Sequence, residues 1–161
     1  MSKKISFRAI LRVLMAHQVD FVVIGGFGAY IHGLGLVSRD VDIVHSREPA
    51  NVGRLMTALG ELNAVYRMRR DLAPGESHLM SPGHQLLVTE HGNLDILGEA
   101  GEGFGYGPLV EQSEWVEIGE GLRVRIANLE TLIRMKEAAG REKDRAMLPI
   151  LRALLKKKGN R

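Results

Sequence analysis

Apolar residues recur at helical spacing through Phe7, Ile10, Leu11, Leu14 and Met15, directly after Ser6, a residue type suited to capping a helix N-terminus. The spacing predicts a first helix ending near His17. FVVIG, residues 21–25, then reads as a short buried strand, GFGAYIHG as a short helix, and SRDVDIVHS, residues 38–46, as a second strand. From Pro49 to about Leu62, Val52, Leu55, Met56 and Leu59 mark another helix. Residues 72–83, rich in proline and glycine, read as a loop.

The second half begins with LLVTEHGNLDIL, a β-hairpin with His91-Gly92 at the turn. That register sets Glu90 opposite Asn93 and Val88 opposite Asp95. Turning one residue later would place Glu90 against Asp95, a like-charge pair that destabilises a sheet. WVEIG and LRVRIA form a second hairpin around Glu120-Gly121. Asn128 caps a helix ending near Gly140, and a last helix, interrupted by Pro149, runs to Lys156–Lys158. The elements define an α/β (α+β) chain: a small mixed sheet flanked by helices, with a helical C-terminus. The 161 residues suit one domain, 1–161, without internal repeats.

One strand breaks its own pattern. Asp40 and Asp42 lie on the same face, separated by about 6.6 Å of rise, while Val41 and Ile43 anchor the opposite face. Two carboxylates at that distance repel by about 2–3 kcal/mol at an effective dielectric near 20. A solvated strand edge would tolerate the pair; a divalent cation would convert repulsion into coordination. Oxygen ligands in a chain without cysteine favour magnesium or manganese. Gly25 and Gly26, between a buried strand and a helix, leave backbone N–H groups open to a phosphate. A nucleoside triphosphate with its magnesium would use both features. A dinucleotide fingerprint fits poorly, because after Gly26 and Gly28 its third small position is Ile31. No Gly-Lys-Ser/Thr P-loop occurs.

Composition narrows the chemistry. Absence of cysteine excludes disulfides, thiolate nucleophiles and Cys-ligated zinc, and the six histidines include no i,i+4 pair. No apolar run reaches bilayer length, and MSKKISFRAI lacks a signal-peptide core, so the expected location is cytoplasmic, with no membrane partner. The net charge of +3 is uneven: from Arg134 onward ten bases face three acids. The tail residues Arg152, Lys156, Lys157, Lys158 and Arg161 suit a polyanion such as RNA, or a solvated helix end, and are expected to lie far from Gly25 and Asp40.

GG-x-x-A-x-x-x-G followed by Ser38-Arg39-Asp40-x-Asp42 resembles the signature of the polymerase-β-type nucleotidyltransferases in their minimal bacterial form. The resemblance implies that the glycines hold the triphosphate and that Asp40 and Asp42 bind the metals. A third carboxylate comes from a later strand; Asp95 matches it, as metal ligand or as base for the acceptor hydroxyl. NLETLIRMKEAAGREKDRA is similar to the tail of small members, including relatives of abortive-infection toxins, which implies an antitoxin partner. The implied reaction moves a nucleoside monophosphate from an NTP to a hydroxyl of RNA or tRNA, protein or a small molecule, and RNA is slightly favoured. A non-catalytic binding member and a metal-dependent nuclease are the alternatives. Two departures bear on this: Leu36 stands where the family often has Arg, and Phe27 where it often has Ser.

Lys136 continues the apolar stripe Leu129, Leu132 and Ile133, so it either snorkels outward or meets phosphate in the cleft. Arg141, Lys143 and Asp144 follow at a helix–helix corner that the resemblance puts near the active site. GEAGEGFGYG, residues 98–107, is glycine-rich, but Glu99 and Glu102 would repel phosphate, so it reads as a connector. His32 could approach a nucleotide or pack at a helix end.

Overall fold

A computed structural model describes residues 4–159. In chain order these form α1 (Phe7–Ala16), β1 (Phe21–Ile24), α2 (Gly25–Ile31), β2 (Asp40–His45), α3 (Pro49–Glu61), β3 (Val65–Tyr66) and α4 (Glu76–Met80). There follow β4 (His84–Thr89), β5 (Gly92–Leu97), α5 (Tyr106–Val110), β6 (Ser113–Glu117), β7 (Arg123–Ala127), α6 (Leu129–Ala139) and α7 (Glu142–Gly159).

The strands make one mixed seven-stranded sheet in the order β3-β4-β5-β2-β1-β7-β6. β1 runs antiparallel to β2, whereas β2–β5 and β1–β7 are parallel. Strand alternation divides the core. Val23, Val41, Ile43, Leu94 and Ile96 face α1 and α3, meeting Ile10, Leu11, Leu14 and Leu55. Val22, Ile24, Val44 and Leu97 face the other way, against Leu129, Leu132, Ile133 and Leu151 of α6 and α7. Ser6 caps α1 as its composition predicts, accepting a hydrogen bond from the Ala9 N–H at 3.1 Å. Among the described residues no helix is long and apolar enough to cross a membrane.

The β4–β5 hairpin turns at Glu90-His91, so Val88 pairs with Asn93 and Asp95 with Leu86. This two-residue shift from the expected register keeps every side chain on its predicted face. Thr89 Oγ1 fixes the turn by accepting from the His91 N–H at 3.0 Å and donating to the Gly92 carbonyl at 2.9 Å. Gly92, with φ of +127°, is the first residue after the turn and no part of its centre. Pro149 does not interrupt the last helix, which is continuous for 18 residues. Its missing N–H removes one backbone bond, and Leu148 and Leu151 on either side are buried and hold both halves. The expected loop at 72–83 contains α4, the 98–107 connector leads into α5, and β3 was not anticipated.

Candidate active site

β2 and β5 lie side by side in parallel, with Asp42 directly opposite Asp95 and Asp40 opposite Asn93. All three carboxylates belong to the sheet face covered further along by α6 and α7 (Asp42 shares its face with Val44, Asp95 with Leu97). Asn93 Nδ2 donates to Asp40 Oδ1 at 2.9 Å. Arg67, just past β3, donates through Nη2 to Asp95 Oδ1 and to the Leu87 carbonyl, and lies 3.9 Å from Asp40 Oδ1. Among the described residues Asp42 has no such cation at contact distance. Its Oδ1 is buried and has no hydrogen-bond partner among the described residues. Burial pushes the Asp42 carboxyl up to about 7, helped by the charge of Asp95, a hydrogen bond shared with Asp95 and the charge of Asp40, with Lys136 opposing. A partly buried carboxylate faced by a second acid is a place where a bound cation would be stabilised.

The glycines close on the same group. Ile24, the last residue of β1, pairs with Asp42, and the chain turns into α2 through Gly25 at φ of +69°. A Cβ on Gly25 would overlap Asp42 Oδ2 and lie 3.0 Å from Asp42 Cγ, so no other residue fits without displacing the carboxylate. A Cβ on Gly26 would meet Ser38 Oγ at 3.1 Å. Ser38 Oγ donates to the Asp40 carbonyl at 2.7 Å and accepts from the Asp40 N–H at 3.3 Å, fastening the start of β2. Arg39 has the opposite strand parity to the aspartates and lines a cleft of about 1000 Å³ with Phe27, Tyr30 and Val37. Phe27 packs edge-on against Phe7 at 5.3 Å and stacks on Tyr30 at 6.1 Å, which gives this departure from the family pattern a packing role. Leu36 is exposed.

Lys136 neither snorkels freely nor stands alone. Its Nζ donates to Asp144 Oδ1 at 3.3 Å. Asp144 is fully buried and also accepts from Arg141 Nε at 2.6 Å, Arg141 Nη2 at 3.2 Å and the Arg141 N–H at 3.3 Å. The Arg141 hydrogen bonds, with those of Lys136, outweigh burial and bring the Asp144 carboxyl down to about 2. Asp144 therefore fixes both cations. Sequence reasoning placed it at the corner but gave it no role, although an acid three residues after Arg141 at a helix start is half of a capping box. Arg67 was missed outright, since nothing in the sequence signalled β3. Lys143 is exposed, without a hydrogen bond or ion pair among the described residues.

The basic tail touches the C-terminal end of α2, the end opposite Gly25. Lys158 Nζ donates to His32 Nδ1 at 2.9 Å, and His32 Nε2–H donates to the Ala127 carbonyl at 2.8 Å. Burial lowers the His32 pKa, so its ring is neutral at pH 7 and free to accept from Lys158. Arg152 pairs with Glu137 at 2.9 Å, whereas Lys156 and Lys157 are exposed. Arg161 lies outside the described residues.

Among the described residues no three His, Asp or Glu side chains are gathered as a ready metal cage. Magnesium needs less than that: one or two carboxylates, with the substrate's phosphates and water completing its shell. The unpartnered Asp42 Oδ1 beside Asp40 fits this requirement.

The architecture is the polymerase-β-type nucleotidyltransferase fold. A nucleotidyltransferase-like structure from Thermotoga maritima superposes with a TM-score of 0.59 at 18% identity, over 93% of this chain and 90% of its own. The lincosamide antibiotic adenylyltransferase LnuA, solved with lincomycin bound, superposes with a TM-score of 0.61 at 16% identity, over 94% of this chain and 99% of its own. No protein-family model matches the chain, and no curated protein is similar to it in sequence.

Proposed function

We propose that the protein is a cytoplasmic, magnesium-dependent nucleotidyltransferase that moves a nucleoside monophosphate from an NTP to an acceptor hydroxyl. The observation that carries this reading is Asp42, whose buried Oδ1 has no hydrogen-bond partner among the described residues, faced by Asp95 and closed over by Gly25, where a Cβ would overlap its carboxylate. Stability alone favours none of these features.

Asp40 and Asp42 hold the ion, with manganese as the alternative, and the Gly25 and Gly26 backbone N–H groups bind the triphosphate. Bound magnesium supplies Lewis-acid stabilisation of the charge on the transferring phosphoryl group. Lys136 and Arg141 carry positive charge to the same side of the sheet, where Asp42 feels both. Asp95 accepts the proton of the acceptor hydroxyl as its oxygen attacks the α-phosphorus. The α–β bridging P–O bond breaks, and pyrophosphate leaves.

Each NTP is titrated with and without magnesium, and pyrophosphate is then measured in the presence of cell extract. Magnesium-dependent binding followed by pyrophosphate release is the expected result. Binding without release identifies a non-catalytic member. Nucleic-acid breakdown without NTP identifies a nuclease.

A further inference from the structure

Arg67 reaches the carboxylates from across β4. Its N–H donates to the Leu86 carbonyl at 3.0 Å, and Leu86 is the Cα partner of Asp95 on β5. Tyr66 packs on the core under α1 and α3, so Arg67, the next residue, is turned to the opposite face, the one that carries the aspartates. There its Nη2 donates to the Leu87 carbonyl at 3.0 Å and makes a charge-assisted bond to Asp95 Oδ1 at 2.5 Å. The same nitrogen lies 3.9 Å from Asp40 Oδ1. Both ends of the pair are sheltered, with the Arg67 side chain 25% exposed and that of Asp95 15%. Packing alone would not select an arginine here, because its Nε is buried and has no hydrogen-bond partner among the described residues.

This cation bears on how many metal ions the site can take. A two-metal centre sets its ions about 3.5–4 Å apart. Asp95 is the carboxylate left to hold a second ion once Asp40 and Asp42 hold the first. Magnesium approaches a carboxylate oxygen to about 2.0–2.1 Å, so an ion on Asp95 Oδ1 would have to displace Nη2. Asp40 Oδ1 is likewise engaged, by Asn93 Nδ2 at 2.9 Å, whereas Asp42 Oδ1 is not. Charge gives the same count. The three ionised aspartates with Arg67 among them carry two net negative charges, which one divalent cation balances. A second ion would bring two positive charges against a guanidinium already in contact.

We propose, resting on the nucleotidyltransferase reading, that Arg67 is a positioning residue that takes the place of a second metal ion. Its guanidinium holds Asp95 as a charged carboxylate that does not ligate metal. The site therefore takes one divalent cation, on Asp40 and Asp42. Of the two roles open to Asp95, metal ligand or base for the acceptor hydroxyl, Arg67 leaves the second.

The test counts Mn²⁺ ions by native mass spectrometry on the full chain, with the α,β-methylene analogue of each NTP. One ion per chain–nucleotide complex is expected for wild type, and for Arg67→Lys, which keeps the charge. Arg67→Ala should take two, the second on Asp95. In chelator Arg67→Ala should melt below wild type, because Asp95 is left without its cation. Mn²⁺ alone, at about a hundredfold excess over its Kd, should then raise the melting temperature of that variant by about 5–10 °C beyond any wild-type shift. Arg67→Gln loses the charge but keeps a donor for the Leu87 carbonyl, and carries the same expectations should the alanine variant not fold. An arginine with only a structural role would lower the melting temperature without the gain of an ion or rescue by Mn²⁺. Two ions in wild type, or a single ion in the neutral variants, overturns the role of Arg67 and leaves the nucleotidyltransferase reading standing. No ion with any analogue overturns that reading and this inference with it.

Discussion

Replacing Asp42 by Asn should make the protein more stable without ligands, and increasingly so as pH rises. The folded chain holds the Asp42 proton with a pKa of about 7, against an ordinary value of 3.8. The folded state therefore binds the proton more tightly than the unfolded state. The associated stability is complete below about pH 3.8 and is lost as pH rises through about 7. A tenfold difference in proton affinity is worth about 1.4 kcal/mol, so wild type should lose about 2.5 kcal/mol between pH 5 and pH 8.5 from this group. Asn keeps the volume and never ionises, so the variant lacks that loss. For a chain of this size the gap corresponds to about 5–10 °C in melting temperature. Circular-dichroism melts at pH 5, 7 and 8.5, with chelator present, measure it directly. Magnesium plus NTP should then raise the wild-type melting temperature and leave Asp42→Asn unmoved. Parallel curves for the two proteins across this pH range would refute the claim that Asp42 is a charge awaiting a cation.

Gly25→Ala meets both a left-handed backbone and the Asp42 carboxylate, so it should cost about 1–3 kcal/mol and abolish magnesium-dependent NTP binding by calorimetry. Gly26→Ala, whose Cβ has only the Ser38 hydroxyl to move, should show the milder loss. Lys136→Met should weaken NTP binding about tenfold, the value of one hydrogen bond to a charged group, while melting changes little because Asp144 keeps Arg141. Normal NTP affinity in Lys136→Met would restrict the lysine to packing.

What could be read in the sequence was whatever rests on local period or local chemistry. Val41 and Ile43 alternating with two acids fixed the faces of β2, and the glycine pair marked the turn above it. A two-residue error in the β4–β5 register left Asp95 on the correct face, since parity survives any even shift. Long-range partnerships left no such trace. Arg67 reaches Asp95 across 28 positions, from the end of a strand of only two residues, too short to show a period. Pro149 misled because a general rule about prolines was applied without the buried leucines that flank it.

The positive charges of the site are arranged so that phosphate can be met without stranding a buried acid. Asp144 is the most deeply buried carboxylate of the cluster, and a lone cation opposite it could not be diverted to a ligand without a large desolvation cost. It holds two cations instead, and Arg141 makes the shorter and more numerous contacts. Lys136 is thereby the replaceable partner. Its single 3.3 Å bond can be shared with an arriving phosphate while Arg141 keeps Asp144 ionised. Asp42 stands in the converse position: a carboxylate with no cation in contact among the described residues, beside one that Arg67 already neutralises. A magnesium–triphosphate complex would bring the cation that Asp42 lacks and an anion that Lys136 could bind while Arg141 holds Asp144. In the proposed reaction one ligand would serve both groups, and so join the paired aspartates and the lysine on a core stripe in a single site.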